Sequence, residues 1–251
     1  MTVEEPTVSV VIPAYNAASF LPEAVASIRQ QCVGGVEIII VDDGSTDDTA
    51  VIAESQGADV TCIRRANGGP AQARNTGLAA ARGAVLTFLD ADDLWPAGSL
   101  SVLLSKLADR PEIDVVLGQT QVLMLQAAAA GEAAWFEPFG EPWHGPQVGS
   151  GVYRRRILDT VGVFDASLAQ SEDLDWFVRM RERDVPTLRI ADITLLYRLH
   201  GSNLTRGSGQ AARQMFLAIK RSMDRRRVEA GEVRALERAT DARAGRQARR
   251  E

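Results

Sequence analysis

Three carboxylates fall within four positions at Asp90-Ala91-Asp92-Asp93, directly after the apolar Phe88 and Leu89. A buried strand ending in like charges loses stability unless a cation compensates them. Mg²⁺ and Mn²⁺ suit such a place, because they take one or two carboxylates and complete their shell with water and substrate phosphates. A solvated loop with helix-capping acids before Trp95-Pro96 is the plainer alternative.

Four further runs carry groups of the right type. In Asp42-Asp43-Gly44-Ser45, a carboxylate can accept hydrogen bonds from a base N–H or from ribose hydroxyls. A turn with Ser45 as helix cap, completed by Asp48 as a capping box, explains the same residues. In Asn67-Gly68-Gly69-Pro70-Ala71-Gln72-Ala73-Arg74-Asn75, the glycines permit tight backbone. Arg74 sits early in the next helix, placed either for a diphosphate or for a surface ion pair. Glu172-Asp173 opens a helix with Ser171 as its expected cap, and first-turn acids are favoured there by the helix dipole alone. Their chemical use would be as a general base that takes a proton from an attacking hydroxyl. His200, one of two histidines, follows a strand, where a metal ligand or a structural histidine fits.

These residues need a scaffold that brings them together. Val8–Ile12, Val36–Val41, Val60–Ile63 and Ala84–Leu89 read as short buried strands. Between them, helices are expected near Phe20–Gln31 (with Leu21, Val25 and Ile28 on one face), after Ser45, and from Pro70 to Arg82. Leu100–Leu107 reads as helix and Ile113–Leu117 as strand. Such alternation predicts an α/β fold with a doubly wound, mostly parallel sheet, in which ligands bind beyond the carboxyl ends of the strands. Both acidic clusters stand at such ends. Residues 126–150, with an alanine run and then Trp135, Pro138, Pro142, Trp143 and Pro146, read as a long irregular loop. Regular structure resumes with Gly151–Val161, a helix around Leu174–Arg183 and a strand near Ile190–Tyr197. A helical tail follows and is expected to fray beyond Ala230.

Charge separates the body from that tail. From Arg206 to Glu251 there are 13 basic and 6 acidic residues, net +7, which leaves −12 on the remainder. An acidic body argues against nucleic acid as a partner, and its cleft must recruit a cation before it can hold a phosphate. Cys32 and Cys62 lack the spacing of a metal site, and neither a disulfide framework nor a zinc centre is expected. Glu4 and Glu5 precede an apolar run of only Val8 to Ile12, so no signal peptide is expected. The expected location is the cytoplasm.

Taken in order, the runs resemble the family-2 glycosyltransferases of the GT-A fold, in their bacterial, non-processive form. The matching residues are Val8-Ser9-Val10-Val11-Ile12-Pro13-Ala14-Tyr15-Asn16, Val41-Asp42-Asp43-Gly44-Ser45-Thr46-Asp47, Ala73-Arg74-Asn75-Thr76-Gly77-Leu78, Phe88-Leu89-Asp90-Ala91-Asp92-Asp93, Glu172-Asp173 and Tyr197-Arg198-Leu199-His200. The resemblance spans roughly residues 7–205. It implies that Tyr15 stacks on a nucleobase in a pocket shaped by Pro13, that Asp43 hydrogen-bonds to the base, and that Arg74 approaches base or diphosphate. It further implies that Asp90 binds the ribose, that Asp92 and His200 serve Mn²⁺ or Mg²⁺, and that Asp173, beside Glu172, is the catalytic base. The implied reaction is an inverting single displacement from a nucleoside-diphosphate sugar, with uridine the expected base. The acceptor is a glycan, glycolipid, peptide or small molecule.

The chain lacks the Gln-x-x-Arg-Trp motif and membrane helices of the processive members. Residues 1–120 are expected to hold the donor and 121–205 the acceptor-side and catalytic-base part of the same domain, with 206–251 a basic helical tail. Trp135, Trp143 and His144 are placed either to stack on a sugar or to form a local cluster. Arg225, Arg226 and Arg227, with Arg221, either line a solvated helix or draw the tail peripherally to an anionic membrane face. A nucleotidyltransferase would need a glycine-rich basic signature after the first strand, which is absent. A glycosidase would not need Asp43 and Arg74. A non-catalytic sugar-nucleotide-binding or scaffold protein of the same fold is the alternative that shares the scaffold.

Overall fold

A run of β-branched and apolar side chains can be buried on both faces only inside a sheet covered by helices. The computed structural model, which describes residues 7–126, 134–201, 203 and 215–228, shows that arrangement. The strands are β1 (Val8–Ala14), β2 (Val36–Asp42), β3 (Val60–Arg64), β4 (Val85–Phe88), β5 (Val115–Gln126), β6 (Trp135–Trp143), β7 (Gly151–Arg154) and β8 (Thr187–Leu199). The helices are α1 (Leu21–Arg29), α2 (Thr49–Glu54), α3 (Pro70–Ala80), α4 (Ser99–Ala108), α5 (Ile157–Val161), α6 (Glu172–Glu182) and α7 over 215–228.

The strands form one sheet in the order β3-β2-β1-β4-β7-β5-β6, with β8 also paired to β5. β1, β2, β3 and β4 are mutually parallel, and β8 runs parallel to β5. β7 is antiparallel to both β4 and β5, so a short reversed strand separates two parallel groups. The carboxyl ends of β1, β2 and β4 therefore line one edge, and the loops after them carry Tyr15, Asp43 and Asp90.

Two apolar layers cover the sheet. On one side α1 and α4 bury Leu21, Val25, Ile28, Leu100, Leu103 and Leu107 against Val10, Ile12 and Ile40. On the other, α3 and α6 pack Leu78, Trp176 and Met180 against Val11, Ile39 and Phe88. The α3 approach is close enough that Gly77 leaves no room for a side chain, since a Cβ there would collide with Val11 Cγ1. Gly77→Ala should therefore cost about 1–3 kcal/mol through overpacking, despite alanine's better helix propensity. Thermal melting would show it, and an unchanged or raised Tm would refute the close-packing argument.

Two sequence expectations need correction. Residues 126–150 are not an irregular loop throughout, because Trp135–Trp143 forms β6 on β5. Its prolines suit this place: β6 lies at the sheet margin, where Pro138 and Pro142 need supply no hydrogen bond to a further strand. The aromatic residues favour a pleated, half-covered surface. Nor does Ser45 cap α2, which begins at Thr49 with Asp48 at the N-cap. Ser45 Oγ instead accepts the Asn16 N–H at 2.9 Å. Ser171 does occupy the α6 N-cap, in left-handed backbone, but without a side-chain cap bond. The tail beyond Ala230 lies outside the described residues.

Candidate active site

Four hydrogen bonds stitch the loop after β1 to the loop after β2. The Ala17 N–H donates to Thr49 Oγ1 (2.8 Å), the Ala18 N–H to Asp47 Oδ2 (3.2 Å), the Asn16 N–H to Ser45 Oγ, and the Thr46 N–H to Asn16 Oδ1 (2.8 Å). Between them Tyr15 stands exposed, one residue past Ala14 and two past Pro13. An aromatic ring held on a pinned loop at a strand end can stack on a planar ligand without first being ordered.

Asp43 is buried beneath the glycine loop after β3. Its Oδ1 accepts from Arg65 Nη1 and from the Gly68 N–H (3.1 Å), and its Oδ2 from the Gly68 and Gly69 N–H groups (3.1 and 2.7 Å). Three donors, one of them shared between the two oxygens, make four contacts and fill the acceptor capacity of a carboxylate. In this conformation Asp43 shapes the 65–69 loop, and Arg65, tied also to Gln72 Oε1 at 2.6 Å, carries its charge. Sequence reading gave Arg65 no role.

Arg74 is buried between the turn after β4 and the start of α6. One Nη donates to Glu172 and the other to Asp90 Oδ1 at 2.5 Å. These two carboxylates raise the guanidinium pKa against the opposing effect of burial. The fork therefore ties the turn after β4 to the first turn of α6. Glu172 is consumed by this contact. Asp173, its neighbour, is half-buried and takes no ion pair among the described residues. Its Oδ1 accepts the Leu174 N–H at 2.7 Å. Burial pushes its carboxyl up to about 7; the Glu172 carboxylate adds to the rise and Arg74 opposes it. A carboxyl in that range, at the entrance of a helix beside Asp90, has the properties of a general base at neutral pH.

The remaining carboxylates of the turn meet the end of β8. Arg198 is buried between the Phe20 and Phe136 rings, 5.0 and 5.4 Å from their centroids. Its Nε donates to the Asp92 carbonyl and its Nη1 to Glu23, while its backbone N–H donates to Asp93 Oδ1 at 2.9 Å. Burial, with Asp92 and Asp90 nearby, pushes the Asp93 carboxyl well above the usual carboxylate range. Asp93 thus belongs to the joint between β8 and the turn. Two residues on, His200 stacks on Phe20 and turns Nε2 toward Asp92 Oδ2 at 3.2 Å. Asn203 Nδ2 donates to the same Oδ2 at 3.2 Å and to the Arg198 carbonyl at 3.0 Å.

Among the described residues, no group of three or more His, Cys, Asp and Glu side chains forms a ready metal cage. The pair Asp92 and His200 nevertheless fits a substrate-assisted ion. Adjacent ligands of an octahedral ion with bonds of about 2.1 Å lie roughly 3 Å apart, close to the Oδ2–Nε2 separation. One carboxylate and one imidazole also leave most positions open for water and phosphate oxygens. Arg198, Phe20 and Asn203, which hold this pair, were missed in the sequence. Arg198 and Asn203 flank His200 there, but Asp92, to which both bind, lies more than a hundred residues away.

The structure thus gathers Pro13, Tyr15, Asp43, Arg74, Asp90, Asp92, Glu172, Asp173 and His200 at the carboxyl edge of the sheet. Residues 9–124, which include the β1, β2 and β4 parts of that site, match the model of glycosyl transferase family 2. Over that stretch the chain is similar to the family 2 glycosyltransferases. It is 38% identical over 114 residues to the uncharacterized glycosyltransferase EpsJ of Bacillus subtilis, which covers 44% of this chain and 33% of that protein. It is 37% identical over 115 residues to the glycosyltransferase GlyG of Streptococcus pneumoniae, with 44% and 38% covered. An uncharacterized glycosyltransferase of Nostoc is 33% identical over 174 residues, covering 63% of this chain and 54% of that one. The chain thus spans between a third and about half of these relatives.

The fold is that of solved glycosyltransferases. The S. aureus TarS 1–349 structure in complex with UDP-GlcNAc superposes with a TM-score of 0.66 at 20% identity, over 84% of this chain and 65% of that one. The mannosyltransferase PcManGT of Pyrobaculum calidifontis, in complex with GDP-Man and Mn²⁺, gives 0.68 at 20% identity, over 88% and 65%.

Proposed function

We propose that the protein transfers a sugar, with inversion, from a nucleoside-diphosphate donor to an acceptor hydroxyl. One observation carries the reading: Arg74 joins Asp90 to Glu172, which sets the Asp173 carboxyl beside the acidic turn that would face the donor. Tyr15 stacks on the base, over Pro13, and the Asp43-organised loop closes the base pocket. Asp90 accepts from the ribose. Asp92 and His200 hold Mn²⁺ or Mg²⁺, which when bound supplies positive charge to the departing diphosphate.

Asp173 takes the proton of the acceptor hydroxyl as its oxygen bonds to the anomeric carbon. The bond from that carbon to the diphosphate oxygen breaks, and the nucleoside diphosphate leaves with the electron pair. One displacement at one carbon inverts it. Uridine is the base we favour, supported by UDP-GlcNAc in the TarS complex, with GDP-Man in PcManGT as the competing precedent. The acceptor is met in the cytoplasm or at the inner face of the membrane, and the transferred unit is a hexose or an N-acetylhexosamine.

Thermal shift with UDP and GDP, each with and without Mn²⁺, tests the donor half. UDP should stabilise the protein, and Mn²⁺ should deepen the effect. Asp92→Asn should abolish the metal-dependent part and leave the metal-free shift in place. Asn203→Ala, which frees the Asp92 carboxylate to turn, should weaken apparent metal affinity by about 10–100-fold. A metal response in Asp92→Asn equal to that of the parent would remove Asp92 and His200 from the metal site.

A further inference from the structure

The helix α7 shows two unlike faces. Successive residues of a helix turn by about 100°, so Arg221, Arg225, Ala218 and Ser222 share one side. That side is docked. Ala218 is fully buried and Ser222 nearly so, and the Ser222 hydroxyl donates to Glu182. Arg221 binds Asp165, while Arg225 reaches Asp175 (3.0 Å) and Glu182 (2.9 Å) on α6. The two arginines are therefore spent on the body of the protein.

The opposite side carries Met215, Phe216, Ile219 and Met223, at the spacing that places them side by side on a helix surface. All four are exposed, Phe216 by 65%. Lys220, Arg226 and Arg227 border this strip and are exposed. Arg226 lies 3.7 Å from Glu182 and Arg227 3.8 Å from Asp224, both weak contacts at exposed cations. An apolar strip edged by cations is the arrangement that buries side chains at the acyl boundary while attracting anionic headgroups. The acidic body, with a net −12 outside the tail, would be repelled by such a surface, so among the described residues this cationic face is the one suited to meet it.

We infer that α7 is a peripheral membrane anchor: it docks on α6 through Arg221 and Arg225 and lays Met215, Phe216, Ile219 and Met223 into an anionic lipid surface. The orientation is fixed by the ion pairs, which hold the lipid-facing helix against the same α6 that begins at Glu172. The anchor does not depend on the transfer chemistry, and its failure would leave that reading intact.

Flotation of the full chain with vesicles tests it, using phosphatidylcholine alone and phosphatidylcholine mixed with phosphatidylglycerol. The chain should float with the anionic vesicles, not the neutral ones, and high salt should release it. Lys220→Ala with Arg226→Ala should lower the partition coefficient about thirtyfold, at about fivefold per cation near the surface. Phe216→Ser should lower it as well. Thermal melting of each variant without ligand serves as a check that it remains folded. Equal recovery on both vesicle types, or variants that float like the parent, would overturn the anchor. So would a parent dimer in sedimentation that Phe216→Ser converts to monomer without any flotation, because the strip would then join two copies of the chain.

Discussion

Asp173→Asn is expected to lower transfer by about 10²–10⁴-fold while leaving the donor-induced thermal shift unchanged. The amide keeps the shape and the Leu174 contact but cannot take a proton. In the parent, kcat/KM should rise with pH and level off above an apparent pKa near 7, the value to which burial and Glu172 push this carboxyl. The asparagine variant should lack that limb. The stability consequence has the opposite sign. A carboxyl whose folded pKa is raised favours the native state fully below its unfolded value of 3.8 and loses that contribution as pH rises toward about 7. At pH 8 the variant should therefore be more stable than the parent, by up to about 4 kcal/mol, and at pH 4 the two should melt alike. Parent-like turnover in Asp173→Asn would assign the proton to another group.

The parts of this site that depend on local pattern were readable in the sequence. A β-branched run such as Val36–Val41 followed at once by Asp42-Asp43 announces a buried strand and the loop at its end, and the same holds for Phe88-Leu89 before Asp90. The alternation of such strands with helices carries the sheet and the edge on which ligands bind. What the pattern could not carry was the choice of partner. Arg74 sits 16 positions from Asp90 and 98 from Glu172, and only the packing of α3 against α6 makes it a fork between them rather than a free cation. Arg198 is similar: sandwiched by Phe20 and Phe136, it takes its meaning from rings on two distant elements. The strand β6 was hidden for a different reason. Pro138 and Pro142 argue against a central strand, and the sequence alone gives no sign that this segment lies at a margin, where proline is harmless. The reversed strand β7 was equally hidden, because a run of four residues has no period from which to read direction.

Replacing Arg74 should damage the protein more than any other single change in the cleft. The guanidinium is buried between Asp90 and Glu172, and Glu172 is buried with it. Arg74→Met would fill the space but leave that carboxylate without a counter-charge, at a cost of about 3–5 kcal/mol. For a chain of this size each kcal/mol lowers Tm by about 2–4 °C, so melting should fall by roughly 6–20 °C. Arg74→Lys should recover only part of this, because one ammonium cannot fork to two carboxylates on different elements. The double variant Arg74→Met/Glu172→Gln should recover more stability than the lysine variant, since it removes the stranded charge together with its partner. It should not recover activity, because Asp90 and α6 are no longer tied. Arg74 also lowers the Asp173 pKa, so any residual turnover in Arg74→Met should show its rising limb displaced above 7. A limb that stays in place would mean that the two groups do not sense one another. If Arg74→Met melts like the parent, the fork contributes nothing, and the coupling of the acidic turn to the base helix must come from the packing of Trp176 and Phe164 beneath it.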